Sequence, residues 1–88
     1  MSERFFLYDD VETSKTRFVS FMGEHHRYDL AITQTDRHYG KQLVLDMQGS
    51  RFAILGQDDL KEEGYIAHVF KLSEEEADEL TEFLQEIL

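Results

Sequence analysis

The sequence predicts an α+β protein, an antiparallel β-meander of about five strands with a C-terminal helix packed on one face. Three observations predict it. Short β-branched and aromatic runs, separated by polar or Gly-containing stretches, fill residues 5–55. Gly49-Ser50 sits between two apolar runs, as a hairpin loop does. Ser73 and Glu76 then open a stretch whose apolar residues recur at helical spacing to the last residue.

In chain order, Phe5-Phe6-Leu7-Tyr8, ended by Asp9-Asp10, reads as a first strand. Residues 9–15 are polar and turn-like. Thr16–Met22, bounded by Gly23, reads as a second strand, with residues 24–26 as the turn. Tyr28, Leu30 and Ile32 alternate with Asp29, Ala31 and Thr33, the period of two of a third strand. Leu43, Leu45 and Met47 form the next alternation, followed by Gly49-Ser50 and Arg51–Leu55. A two-residue type II′ loop there pairs Gln48 with Arg51, Met47 with Phe52, Asp46 with Ala53 and Leu45 with Ile54. That register puts Met47/Phe52 and Leu45/Ile54 on the core face. Asp58–Gly64 reads as a helical turn with an acidic start and a Gly stop. Residues 65–70 fit either a short helical face or a strand, and the helical turn is preferred. For the last segment Ser73 is the N-cap, Glu76 returns the bond, and Leu72 with Ala77 forms a hydrophobic staple. Ala77, Leu80, Phe83, Leu84, Ile87 and Leu88 make the apolar stripe.

Eighty-eight residues hold one domain, 1–88, with no linker or repeat. There is no Cys, which excludes disulfides and thiolate metal sites and favours a reducing compartment. No stretch has signal-peptide or membrane-spanning character, so the chain reads as a complete cytoplasmic protein. The net charge of −10 is uneven. Residues 1–56 carry seven Lys/Arg and eight Asp/Glu, whereas residues 57–88 carry two Lys and eleven Asp/Glu. An anionic surface of that density disfavours nucleic-acid and membrane partners; it permits a basic protein partner, although a solvated acidic face explains it without one.

With these elements placed, SERFFLYDD (2–10), KTRFVSFMGE (15–24), YGKQLVLDMQ (39–48), RFAILGQDDL (51–60) and LSEEEADEL (72–80) together resemble a small family of uncharacterised proteins. They form a domain of unknown function from low-GC Gram-positive bacteria. The resemblance spans essentially the whole chain and implies a bacterial cytoplasmic setting. It implies no activity, cofactor or catalytic residue.

One polar constellation is a candidate for chemistry: His25, His26, Asp29, Asp36 and His38, with Glu24 beside them. Such ligands suit Zn²⁺ when three or four converge. His25-His26 and Asp36/His38 fall at opposite ends of the third strand, about 25 Å apart at ~3.3 Å per residue, so exposed loop histidines are the preferred reading. His68, among apolar neighbours, reads as a partly buried, hydrogen-bonded histidine with no paired nucleophile. Asp58-Asp59 reads as a cap and acidic first turn rather than a carboxylate pair. Gly40-Lys41-Gln42 opens a strand and is not a phosphate loop. The aromatics Phe5, Phe6, Tyr8, Phe18, Phe21, Tyr28 and Phe52 could stack bases beside Arg4, Arg17, Arg27 and Arg51. Acidic residues nearly cancel those arginines, and core packing is preferred. No catalytic residue, metal site or cofactor is assigned.

The strands are apolar on both sides: Phe5 and Leu7 oppose Phe6 and Tyr8, Phe18 and Met22 oppose Val19 and Phe21, and Leu43, Leu45 and Met47 oppose Val44. One helix covers one face only, and the other can be closed by curling into a barrel, by the 57–70 segment or by a second subunit, of which the second subunit is preferred. The expected function is therefore a non-enzymatic protein-interaction or regulatory module, a homodimer whose interface centres on Phe21, Val44 and Leu55 and which can take a further protein partner. The alternative is a small enzyme or metal-dependent ligand-binding protein that uses the loop histidines and carboxylates.

Overall fold

A computed structural model describes residues 3–88. Four strands, β1 (Lys15–Met22), β2 (Arg27–Gln34), β3 (Gln42–Asp46) and β4 (Arg51–Leu55), pair antiparallel in sequence order. A single 3-10 turn, Asp36–His38, joins β2 to β3. The helices α1 (Gln57–Leu60), α2 (Tyr65–Phe70) and α3 (Glu74–Ile87) then lie together on one face of the sheet. Among the described residues the chain is thus an α+β meander with four strands rather than five.

The missing strand is the first. Phe5 to Tyr8 pair with nothing and are exposed, Phe5 at 90% and Leu7 at 89%. The polar stretch behind them is held elsewhere: Arg37 lies 4.9 Å from the Tyr8 ring centroid and 3.5 Å from both Asp10 and Glu12. β-propensity needs a partner strand to become a strand, and those contacts lead residues 8–12 past the 3-10 turn instead. The arm shows in the dimensions. The radius of gyration is 15.1 Å and the longest axis 50 Å, against about 12 Å expected for 88 compact residues.

The core follows from strand alternation. Tyr28, Leu30, Ile32, Val44, Ala53 and Leu55 face the helices and meet Leu60, Ile66, Phe70, Ala77, Leu80 and Leu84. The β3–β4 register differs from the sequence expectation. Asp46 pairs with Arg51, Leu45 with Phe52, Val44 with Ala53 and Leu43 with Ile54. The loop is therefore four residues, Met47–Ser50, and Ser50 rather than Gly49 takes the left-handed conformation, at φ 54°. The buried Asp46 carboxylate accepts the Gly49 N–H at 3.2 Å, and Met47 N–H bonds Asp29 O at 2.9 Å. Those bonds satisfy the longer loop. The two-residue slip keeps Leu43, Leu45, Phe52 and Ile54 on one face, but that face is the outer one. Leu55 leads through Gly56 straight into α1, so the helical layer must cover its side of the sheet. Phe21, Val44 and Leu55, expected at a dimer interface, accordingly lie beneath the helices, with Val44 and Leu55 fully buried.

The helices follow their sequence signals at α2 and α3, whereas the helical turn expected to run to Gly64 covers Gln57–Leu60 and ends at Lys61. Residues 65–70 are helical, and Gly64 separates α1 from α2 at φ 79°, a conformation that Gly adopts without steric cost. Ser73 caps α3: its hydroxyl accepts the Glu76 N–H at 3.1 Å while Glu76 accepts the Ser73 N–H at 2.9 Å. Ala77, Leu80 and Leu84 are buried, with Phe83, Ile87 and Leu88 packed beside them. At α1 the cap is Gly56, whose N–H is accepted by Asp59 at 2.8 Å, and Lys41 Nζ lies 3.1 Å from the same carboxylate. The Gly56 N–H, then Lys41, hold Asp59 below the usual carboxylate range. Asp59 is structural, as its position near a helix start suggested.

Candidate functional site

Two features stand out: a polar latch between the β1–β2 turn and α3, and the bare outer face of the sheet.

The latch centres on Tyr28. Its ring is buried, stacked 4.7 Å from Phe21 and met edge-on by His26 at 4.5 Å. Its hydroxyl donates to Glu79 Oε1 at 2.7 Å and lies 2.9 Å from the Glu76 carbonyl. Glu79 also accepts the Glu24 backbone N–H at 2.6 Å, and His26 Nδ1 sits 3.0 Å from Glu76 Oε2. The approach is so close that a Cβ at Gly23 would meet the Glu79 carboxylate and push it out of its bonds. The Glu24 N–H and then the Tyr28 hydroxyl hold Glu79 below its ordinary value, and the Ser73 N–H and hydroxyl do the same for Glu76. Burial, reinforced by Glu79, pushes the Tyr28 phenol well above its ordinary value. The Tyr28 hydroxyl, the Glu24 N–H and His26 each bond α3, and so pin the turn to the helix, while Glu76 also closes its own helix cap. A nucleophile with a poised base is not among them.

The sequence constellation divides accordingly. His26 enters the latch, whereas His25 is exposed, 3.9 Å from Glu24. Asp29 points to the outer face, bonded by Ser20 and by Arg27 Nε at 3.1 Å, and the Ser20 hydroxyl leads in lowering its carboxyl. Asp36 and His38 lie at the far end of β2. Among the described residues no three His, Asp or Glu side chains are grouped as a metal ion needs. His68, expected to be partly buried, is exposed, because α2 buries Ile66 and Phe70 and turns residue 68 outward. Glu79 escaped sequence reading because nothing local separates it from its acidic neighbours.

The outer face is the other candidate. By register, Phe18, Ala31, Leu45 and Phe52 form one row across all four strands, and Thr16, Thr33, Leu43 and Ile54 form the next. Phe18 is 73% and Phe52 65% exposed, with Met22 and Met47 open beside them. A solvated antiparallel sheet ordinarily shows polar side chains here. Its one charged pair, Arg27–Asp29, is neutral overall and lies near the turn end, beside a shallow groove of about 490 Å³ lined by Phe18, Ser20, Met47 and Gln48. Phe21, Tyr28 and part of the aromatic set are core, while Phe18 and Phe52 are surface, so the aromatics form no continuous platform.

The fold and these surfaces define a small α+β protein with an acidic helical layer on one side of its sheet and an apolar face on the other. Residues 7–86 match the family described as SAV0927-like, and the chain belongs to that family. Membership brings no named function. No curated protein matches the chain. No helix among the described residues is long and apolar enough to cross a membrane.

Proposed function

We propose that this protein is a non-enzymatic interaction module of the bacterial cytosol that works as a homodimer, two sheets packed outer face to outer face. The observation that carries the reading is the apolar row Phe18–Ala31–Leu45–Phe52, whose two end aromatics, Phe18 and Phe52, stand exposed on either side of a half-buried Leu45 and a buried Ala31. The chain exposes 6910 Å², against about 5,400 Å² for a folded monomer of its mass. The open arm and the outer face both contribute to that surplus, which exceeds the roughly 800 Å² per partner that a standard interface removes. Charge favours a second copy as the occupant. The outer face is neutral, so two such faces meet without repulsion. The acidic layers of residues 57–88 then point away from each other, about 30 Å apart across two sheets and two helical layers, several Debye lengths at physiological salt. They remain available to a basic protein partner and unfavourable to nucleic acid.

Light scattering across the micromolar range tests this. The full chain should show twice 10.4 kDa, and Phe52→Glu should return it to one chain without unfolding it. A wild-type mass of one chain at every concentration rejects the reading.

A further inference from the structure

We infer that in this dimer the Phe5-Phe6-Leu7 arm of each copy lies along the free edge of the other copy's β1, beside its Phe18–Met22 half, so that the two arms are exchanged. The inference rests on the face-to-face dimer proposed above. The arm has strand character and apolar side chains on both sides, yet touches nothing of its own core. A strand of that kind needs a neighbour that is apolar on both sides too. β1 supplies one: Phe18 and Met22 stand on the outer face, Val19 and Phe21 sit half-buried on the inner face, and β1 is the end strand of the sheet.

A chain's own arm does not reach that half. Folding back through residues 9–14 would set residues 5–8 beside Lys15–Phe18, the charged start of β1, and leave Val19–Met22 bare. Arg37 moreover holds Tyr8, Asp10 and Glu12 at the sheet's end, so Phe5–Leu7 project beyond it. A second copy removes the obstacle. When the two-fold axis crosses the strands, Lys15 of one copy lies over the Met22 end of the other. Packed sheets are about 10 Å apart, and residues 8–14, once they give up their contacts with Arg37, reach roughly 20 Å when extended, enough to carry the arm over that gap to the edge, so the exchange trades those contacts for edge pairing. The exchange pairs backbone groups that β1 otherwise leaves open, the strand addition seen in many peptide complexes.

Sedimentation equilibrium and hydrogen exchange on the full chain, on Phe5→Ser/Phe6→Ser/Leu7→Ser and on Phe52→Glu test it. The arm variant should dissociate at least about tenfold more readily while its monomer melts as before, because three apolar contacts go and no core residue changes. Amides of residues 5–7 and 18–22 should gain protection only at concentrations where the dimer forms. An unchanged dissociation constant in the arm variant, with Phe52→Glu still monomeric, overturns the arm exchange and leaves the sheet-face dimer standing. Protection of residues 5–7 in the monomer puts the arm on its own sheet and overturns it as well. A wild-type chain that never dimerises removes both.

Discussion

Replacing Tyr28 by Phe isolates the latch, since it deletes one oxygen and leaves the Phe21 and His26 ring contacts in place. That oxygen donates to Glu79 at 2.7 Å and lies 2.9 Å from the Glu76 carbonyl. A hydrogen bond to a charged acceptor contributes about 1.5–3 kcal/mol, and Glu79 is partly exposed, so the hydroxyl's loss should cost about 1–2 kcal/mol. In a domain of this size that lowers the Tm by roughly 4–16 °C. Urea and thermal melts of the wild type, Tyr28→Phe, Glu79→Gln and the double variant measure it. The double variant should lose little more than the worse single one, because both act on the same bond. A Tyr28→Phe protein as stable as the wild type, or strictly additive losses, would refute the latch as the element that fixes the β1–β2 turn.

The acid side gives a signed test of the same group. A carboxyl held below its ordinary value contributes stability that is full above that value and lost as the pH falls through the folded one. The gap in Tm between the wild type and Glu79→Gln should therefore be largest near neutrality and close below about pH 4, read by melts across a pH series. Gly23→Ala should lower the Tm and break the Glu24 N–H to Glu79 bond, seen as faster exchange of the Glu24 amide. Ser73→Ala should cost about 1 kcal/mol by urea titration, with an undisturbed sheet spectrum.

The helical half was readable because its signals are local. Ser73 and Glu76 are three residues apart and the stripe from Ala77 to Leu88 lies on one turn after another, so propensity, cap and pattern agree. β1 and β2 were legible for the same reason, through alternation bounded by Gly23. The misreadings arose where a distant contact decides. Gly49-Ser50 has the chemistry of a two-residue hairpin, but the Met47 N–H bond to Asp29 O and the Gly49 N–H bond to Asp46 close a four-residue loop. Alternation showed that Leu43, Leu45 and Met47 oppose Val44, yet it carries no sign for inside and outside. The direction came from Leu55 running directly into α1. Phe5–Tyr8 has strand composition without a strand beside it, and no local feature reports Arg37's hold on residues 8–12. Glu79 joins the latch only through Glu24 and Tyr28, 55 and 51 residues away.

The central claim is that the outer face of one copy covers that of another, and mixed-label NMR tests it at the atoms concerned. In a sample of half isotope-labelled and half unlabelled chain, filtered NOEs report only contacts between copies. They should appear at Phe18, Leu45, Phe52 and Ile54 and be absent from the exposed side of α3. Intermolecular NOEs confined to the helical layer, or none at concentrations well into the micromolar range, would contradict it.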